Sequence, residues 1–210
     1  EVALGIGHLH SLGMINRDVK PRNILLNNQG RCQISDFGLA VAVSESRPTV
    51  KGRAGTEGYW SPEVINNHAY SYDCDWWSYG VCVFEFIAGF SPFSTKHTGL
   101  RTRNDGTRRG EIRFPEGFDE TAKPLVLALL ARNVADRAGC QGGGVNEIFD
   151  PKFEYFRSLD LNAVKRCEHP APWVPERGRI YSPPQTEIQE NDADNKDKVK
   201  LTPEDEVPFP

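Results

Sequence analysis

Four side chains near the start of this sequence have the types and spacing that phosphoryl transfer requires. Asp18, Lys20 and Asn23 lie in the run Arg17-Asp18-Val19-Lys20-Pro21-Arg22-Asn23, and Asp36-Phe37-Gly38 begins thirteen residues after Asn23. Phosphoryl transfer passes through a loose transition state, so a protein contributes positioning and charge neutralisation rather than covalent chemistry. A carboxylate must orient the attacking hydroxyl, a cation must hold the departing phosphate, and oxygen-bearing side chains must fix magnesium. Taken singly, Asp18 or Asp36 reads more naturally as a turn or capping residue. Together, at this spacing, they supply the required set.

The elements around them are those a rigid support needs. Val2, Ile6 and Leu9 share one face of a helix over residues 1–12, and Gly13 supplies its stop. Two short apolar runs, Ile24–Leu26 and Cys32–Ile34, flank Asn27-Asn28-Gln29-Gly30 and read as a hairpin. Residues 40–61 are polar and rich in Gly, Ser and Thr, which predicts a long loop of the kind that is either functional or disordered. Residues 75–89 are apolar almost all round, as in a helix buried at a domain centre. Residues 94–110 are polar and weakly periodic, and 121–132 form an amphipathic helix. A glycine-rich turn at 139–144 leads into a short helix near 145–149; no Gly-Lys-Ser/Thr follows it, so it is no phosphate loop.

The first constellation resembles the catalytic and magnesium loops of eukaryotic protein kinases. The resemblance implies that Asp18 is the catalytic base, that Lys20 contacts the γ-phosphate, and that Asn23 and Asp36 bind magnesium. It places Leu25 among the nucleotide-binding residues, with Arg22, Thr56 and Glu85 meeting the substrate. Lys20-Pro21 looks like the serine/threonine class. Downstream, Gly55-Thr56-Glu57-Gly58-Tyr59-Trp60-Ser61-Pro62-Glu63 resembles the end of an activation segment, with Ser61 in place of the usual Ala. Asp75-Trp76-Trp77-Ser78-Tyr79-Gly80 resembles the start of the central helix, whose Asp caps the catalytic-loop backbone. Arg137 stands where the family pairs an Arg with Glu63.

The end of the chain narrows the resemblance. Residues 136–144, Phe156-Arg157-Ser158-Leu159-Asp160 and residues 170–178 look like the domain end and tail of the AGC kinases, most similarly the G-protein-coupled receptor kinases. Residues 198–210 resemble the later tail of that branch. Two departures carry expectations. Asn16 stands where His or Tyr usually packs on the Phe of the magnesium loop, here Phe37, which implies weaker coupling between lobes. Arg22 reverses the sign of a Glu that receives substrate Arg in basic-directed relatives, so neutral or acidic residues are expected there, with Glu85 offsetting part of the effect.

Composition sets the outer bounds. The 210 residues carry a net charge of −4, which argues against nucleic acid as the main partner. The apolar stretches at 81–90 and 125–131 are too short or interrupted to cross a bilayer. Five scattered cysteines without a C-x-x-C suit reduced thiols in the cytosol or nucleus, with the cytoplasm as the expected setting. Trp76 and Trp77 are assigned to the core, and His8 and His10 to packing. The basic run Lys96, Arg101, Arg103, Arg108, Arg109 and Arg113 reads as a solvated loop, with an acidic lipid or acidic substrate as the sharper reading.

The resulting expectation is an α+β fold, mainly α with a small β hairpin: a kinase-like large lobe at 1–156, followed by an AGC-type tail at 157–210 in which 182–210 have no packed core. Only 17 residues precede Asp18 and they hold no G-x-G-x-x-G, so the small lobe is expected to be missing from these residues. The implied function is a serine/threonine protein kinase acting on protein substrates, with ATP and Mg2+ as cofactors and compatible with peripheral membrane or receptor association. The rival is a non-catalytic kinase-like binding protein. A small-molecule phosphotransferase would not need the peptide platform at 55–63.

Overall fold

The computed structural model describes residues 1–178, the side chain of Thr98 excepted. The expectations for 182–210 and 198–210 lie outside the described residues. Helix α1 (Val2–Ser11) buries Ala3 and Ile6 and ends at Leu12, before Gly13 at φ 74°. Strand β1 (Met14–Ile15) follows. A 3-10 turn (Pro21–Asn23) leads into β2 (Ile24–Leu26), which pairs antiparallel with β3 (Cys32–Ile34), Leu25 opposite Gln33. The predicted hairpin is present with both strand boundaries as expected.

The long loop is better anchored than its composition suggests. Its first residues form β4 (Val41–Ala42), antiparallel to β1, and Val50 exchanges two backbone hydrogen bonds of 2.9 Å with Tyr70. Two isolated residues in a polar run carry no periodicity, so strand pairing this short leaves no pattern to read. After the loop comes α2 (Pro62–Ile65), with Pro at its start where the missing N–H costs nothing.

Helix α3 (Asp73–Ala88) starts two residues before the apolar run and stops at Gly89, whose φ of 77° ends the helix. Trp76, Trp77, Val81, Cys82 and Phe84 are all buried, and Trp77 stacks on Phe93 at 5.7 Å between ring centroids. Helix α6 (Lys123–Leu129) packs against α3 so closely that a Cβ at Gly80 would lie 2.7 Å from Leu129. It is shorter than the predicted 121–132, because Leu130 leaves helical geometry and Ala131 turns its carbonyl to Arg137. A second cluster of Ile15, Val50, Trp60, Val64, Ile65, Tyr70 and Cys74 sits under the long loop.

The segment read as weakly periodic contains α4 (Thr95–Thr98) and α5 (Arg103–Arg109). Thr102 caps α5 by accepting the Asp105 N–H at 3.0 Å, and its own hydroxyl bonds the Asp105 carboxylate at 2.8 Å. That cap was a legible signal; the near-absence of apolar residues hid the helix behind it. Helix α7 (Val145–Ile148) seats Val145 against α1, where a Cβ on Gly7 would come within 2.6 Å of it. Helix α8 (Leu161–Lys165), capped by Asp160, continues the ordered chain past residue 156.

Candidate active site

The site begins with one carboxylate. Asp75, in the first turn of α3, is fully buried, and such a charge is tolerated only when hydrogen-bonded. Its Oδ2 accepts the Asn16 N–H and its Oδ1 the Arg17 N–H, both at 2.8 Å, while His10 Nε2 lies 2.9 Å from Oδ2. These contacts hold the loop after β1 in an unusual shape. Arg17 has φ 70°, a left-handed conformation that a bulky side chain adopts only when its surroundings impose it. Its guanidinium Nε donates to the Leu39 carbonyl at 2.6 Å, joining this loop to the segment after Gly38.

Asn16 is also fully buried, and its Oδ1 accepts the Asp18 N–H at 3.1 Å. The asparagine is therefore spent on the backbone of its own loop, while Phe37 stands 45% exposed. The Asn16 amide nitrogen finds no hydrogen-bond partner among the described residues.

Asp18 itself is buried, and three side chains converge on it. Lys20 Nζ donates to its Oδ2 at 2.8 Å, Asn23 Nδ2 to the same oxygen at 3.1 Å, and Thr56 Oγ1 to Oδ1 at 2.7 Å. Lys20 Nζ also reaches Thr56 Oγ1 at 2.7 Å, closing the network. Asn23 Nδ2 further donates to the Asp18 carbonyl at 2.9 Å, so the amide nitrogen faces the loop and the amide oxygen faces away. The Ser35 N–H donates to the Asn23 carbonyl at 2.8 Å, which brings the residue after Ser35, Asp36, beside Asn23. Asp36 is exposed at φ 61°, and its Oδ1 accepts the Gly38 N–H at 3.1 Å.

Thr56 can reach Asp18 because Gly55 precedes it. Gly55 has φ 95°, and a Cβ there would stand 2.2 Å from the Arg17 carbonyl oxygen, so only glycine permits the approach. The far end of this platform is fixed as well. Ser78 Oγ donates to the Tyr59 carbonyl at 2.9 Å, and the Tyr59 hydroxyl donates to Glu85 Oε2 at 2.7 Å. Burial, with Glu85 beside it, pushes the Tyr59 hydroxyl well above the ordinary tyrosine range.

The structure thus unites Asp18, Lys20, Asn23 and Thr56 in one hydrogen-bonded group, with Asp36 carried next to it by the hairpin. Arg22 is exposed on the 3-10 turn, and Leu25 is 51% exposed on β2. Glu85 lies at the opposite end of the platform, engaged by Tyr59, a partner the sequence did not reveal. Asn23 and Asp36 offer one amide oxygen and one carboxylate. That is a poor cage for a bare cation, yet it suits magnesium, which takes one or two protein oxygens and completes its shell with phosphates and water.

Behind the platform lies a buried ion pair. Arg137 Nη1 and Nη2 donate to Glu63 Oε1 and Oε2 at 2.5 and 3.1 Å, and Arg137 also donates to the carbonyls of Asp73 and Ala131, both at 3.0 Å. The guanidinium lies 5.1 Å from the Trp77 ring. Burial raises the Glu63 carboxyl, but its hydrogen bonds to Arg137 outweigh that and hold it below its ordinary value. Asp73 is driven the other way: burial and the adjacent Glu63 push it up to about 7.

The two carboxylates have opposite consequences for stability. A carboxyl raised in the folded state binds its proton more tightly when folded, so the Asp73 contribution is complete below 3.8 and lost as pH rises through about 7. The Glu63 contribution is present above its ordinary value and lost as pH falls through its lowered one. The urea midpoint should therefore fall more from about pH 5 to about pH 8 in the wild type than in Asp73→Asn. Identical slopes in the two proteins would show that Asp73 titrates as it does when unfolded.

A buried loop aspartate with a lysine two residues on, an asparagine five on, and a glycine-led threonine platform define a kinase large lobe. The protein kinase domain family matches residues 1–149, and the chain belongs to that family. Its relatives include AGC-group serine/threonine kinases. Beta-adrenergic receptor kinase 1 of Mus musculus is 36% identical over 98% of this chain and 30% of its own length. Rhodopsin kinase grk7-b of Danio rerio is 34% identical over 90% of this chain and 34% of its own. Ribosomal protein S6 kinase 2 alpha of Gallus gallus is 36% identical over 85% and 23%. The chain spans about a third of the length of the curated relatives it matches. Among the described residues, no helix is long and apolar enough to cross a membrane.

Proposed function

We propose that residues 1–156 form the large lobe of a protein serine/threonine kinase and that residues 157–210 form its AGC-type tail. The reaction is transfer of the γ-phosphate of ATP to a Ser or Thr hydroxyl of a protein. The observation that carries this reading is the Asp18 group: a buried carboxylate fixed by Lys20, Asn23 and Thr56, on a loop whose backbone is held by Asp75.

In this reading Asp18 accepts a hydrogen bond from the substrate hydroxyl and takes its proton. Thr56 lines the approach beside it. Lys20, which here bridges Asp18 and Thr56, has an ammonium able to meet the transferring phosphate. Asn23 and Asp36 would hold magnesium, which neutralises charge on the phosphates when bound. Leu25, exposed on β2, provides an apolar surface for the nucleotide, and Arg22 and Glu85 meet substrate side chains. The coherent setting is the cytoplasm, with receptor or peripheral membrane association suggested by the receptor-kinase relatives.

The test is phosphotransfer with and without a nucleotide-binding lobe. The 210-residue chain alone should neither bind Mg-ATP at micromolar concentration in calorimetry nor label protein, since a closed, dry site is what makes these charges effective. Joined in cis to a kinase small lobe bearing a glycine-rich loop, it should transfer labelled γ-phosphate to Ser or Thr. Failure of the joined protein to label any protein or peptide would remove the kinase reading. Tight binding with turnover by the chain alone would refute the dependence on a second lobe.

A further inference from the structure

We infer that Arg103 is a specificity-determining residue of the peptide platform and that it selects an acidic side chain about two residues from the phosphorylated hydroxyl. The inference rests on the kinase reading, and it arises from the interior of that platform. Gly58 has φ 95° and is buried, and what covers it is Arg103: a Cβ at Gly58 would lie 3.1 Å from Arg103 Cδ and 3.3 Å from Nη1. The Arg103 Cδ and one edge of its guanidinium therefore lie over the platform backbone, while the residue as a whole is exposed.

Three other cations of this basic segment are held by neighbours of their own. Arg108 donates to Asn66 Oδ1 at 2.9 Å, Arg109 lies 3.7 Å from Asp105, and Arg113 lies 3.7 Å from Glu111. Arg103 forms no hydrogen bond or ion pair among the described residues. Its charge is nonetheless felt at the platform, where it acts on the Tyr59 hydroxyl in the sense opposite to Glu85. Tyr59 thus stands between a cation on the Gly58 side and a carboxylate on the α3 side.

The spacing sets which substrate residue is read. Thr56 bonds Asp18, so the reacting hydroxyl belongs beside Thr56, and Gly58 lies two residues further on. An extended chain advances about 3.3–3.6 Å per residue. A peptide laid along the platform brings a side chain about two residues from the acceptor over Gly58, within reach of the Arg103 guanidinium. A carboxylate there gains an ion pair, and an arginine there meets like charge.

The measurement is fluorescence anisotropy of labelled peptides with the 210-residue chain at low ionic strength, where exposed charges are least screened. Peptides with a central serine carry glutamate or arginine at each neighbouring position in turn. At one position, about two residues from the serine, the glutamate peptide should bind about fivefold tighter than the arginine one, as expected for one partly exposed pair. Arg103→Lys should keep most of that preference and Arg103→Glu should reverse it, with a cooperative thermal melt of each variant showing that it is folded. Equal affinities, a preference unchanged in Arg103→Glu, or no binding of either peptide would overturn the inference. Phosphotransfer by the joined protein is scored separately, so a kinase without this preference is distinguishable from a chain that is no kinase.

Discussion

Asp18→Asn in the protein joined to a nucleotide-binding lobe is expected to lower kcat by about 10²–10⁴, the usual worth of a positioned general base. The substitution keeps the shape of the side chain, and Lys20, Asn23 and Thr56 remain in place around it. It removes the charge that draws Lys20 and the basicity proposed to take the substrate proton. KM for ATP should change little, since no nucleotide contact is assigned to Asp18. Asp36→Asn should behave differently, weakening magnesium-dependent nucleotide binding because a neutral amide replaces the carboxylate assigned to the cation. Steady-state kinetics over a range of ATP and magnesium concentrations separates the two. Wild-type rates at saturating ATP in both variants would show that the assigned roles are wrong.

The second large effect is expected in stability. Glu63 and Arg137 are joined by two hydrogen bonds, with the Arg137 side chain wholly inaccessible to solvent. Removing one partner of a buried pair strands the other charge and typically costs about 3–5 kcal/mol. Arg137→Ala should be the worse variant, since it also frees the Asp73 and Ala131 carbonyls and removes the cation from the Trp77 ring. Glu63→Gln leaves the shape intact and isolates the charge. In urea melts the double variant should be less damaged than the sum of the single losses by about 1–3 kcal/mol. Strict additivity would mean that the two residues do not interact in solution. The loss should reach the peptide platform too, because Glu63 lies only a few residues beyond Tyr59.

How much of this was legible from the chain depended on how local each signal was. The hairpin could be placed to the residue because two apolar strands flank an Asn-Asn-Gln-Gly turn. The apolar run of α3 likewise marked the buried helix, and its Gly89 stop lies at the end of that run. Asp18, Lys20, Asn23 and Asp36 were nominated by spacing, and the structure gathers the first three together with Thr56. The partnership of Tyr59 with Glu85 joins residues 26 positions apart, and nothing local to either points to the other. Asp73 gave no hint of its raised carboxyl, which depends on burial and on a neighbour from another helix. The role of Asn16 was read from the side chain that usually stands there. Its own shorter amide instead bonds the loop backbone, a contact available only once that loop is folded.

The hold of Asp75 on Asn16 and Arg17 has a consequence for how this site can change. Reactive groups borne on surface loops are commonly interchangeable, because a loop can be remodelled without disturbing the scaffold beneath it. Here the segment bearing Asp18 is stapled to the first turn of the most deeply buried helix by a carboxylate with no exposure at all. Its shape is inherited from the interior. A new chemistry could not be installed by exchanging this segment alone, because the transplanted residues would have to present two amides to the same buried oxygens. The outer platform at Gly58, covered by one exposed arginine, carries no such obligation. On the proposed reading, substrate choice is therefore free to drift at the rim while the reacting centre stays tied to the core.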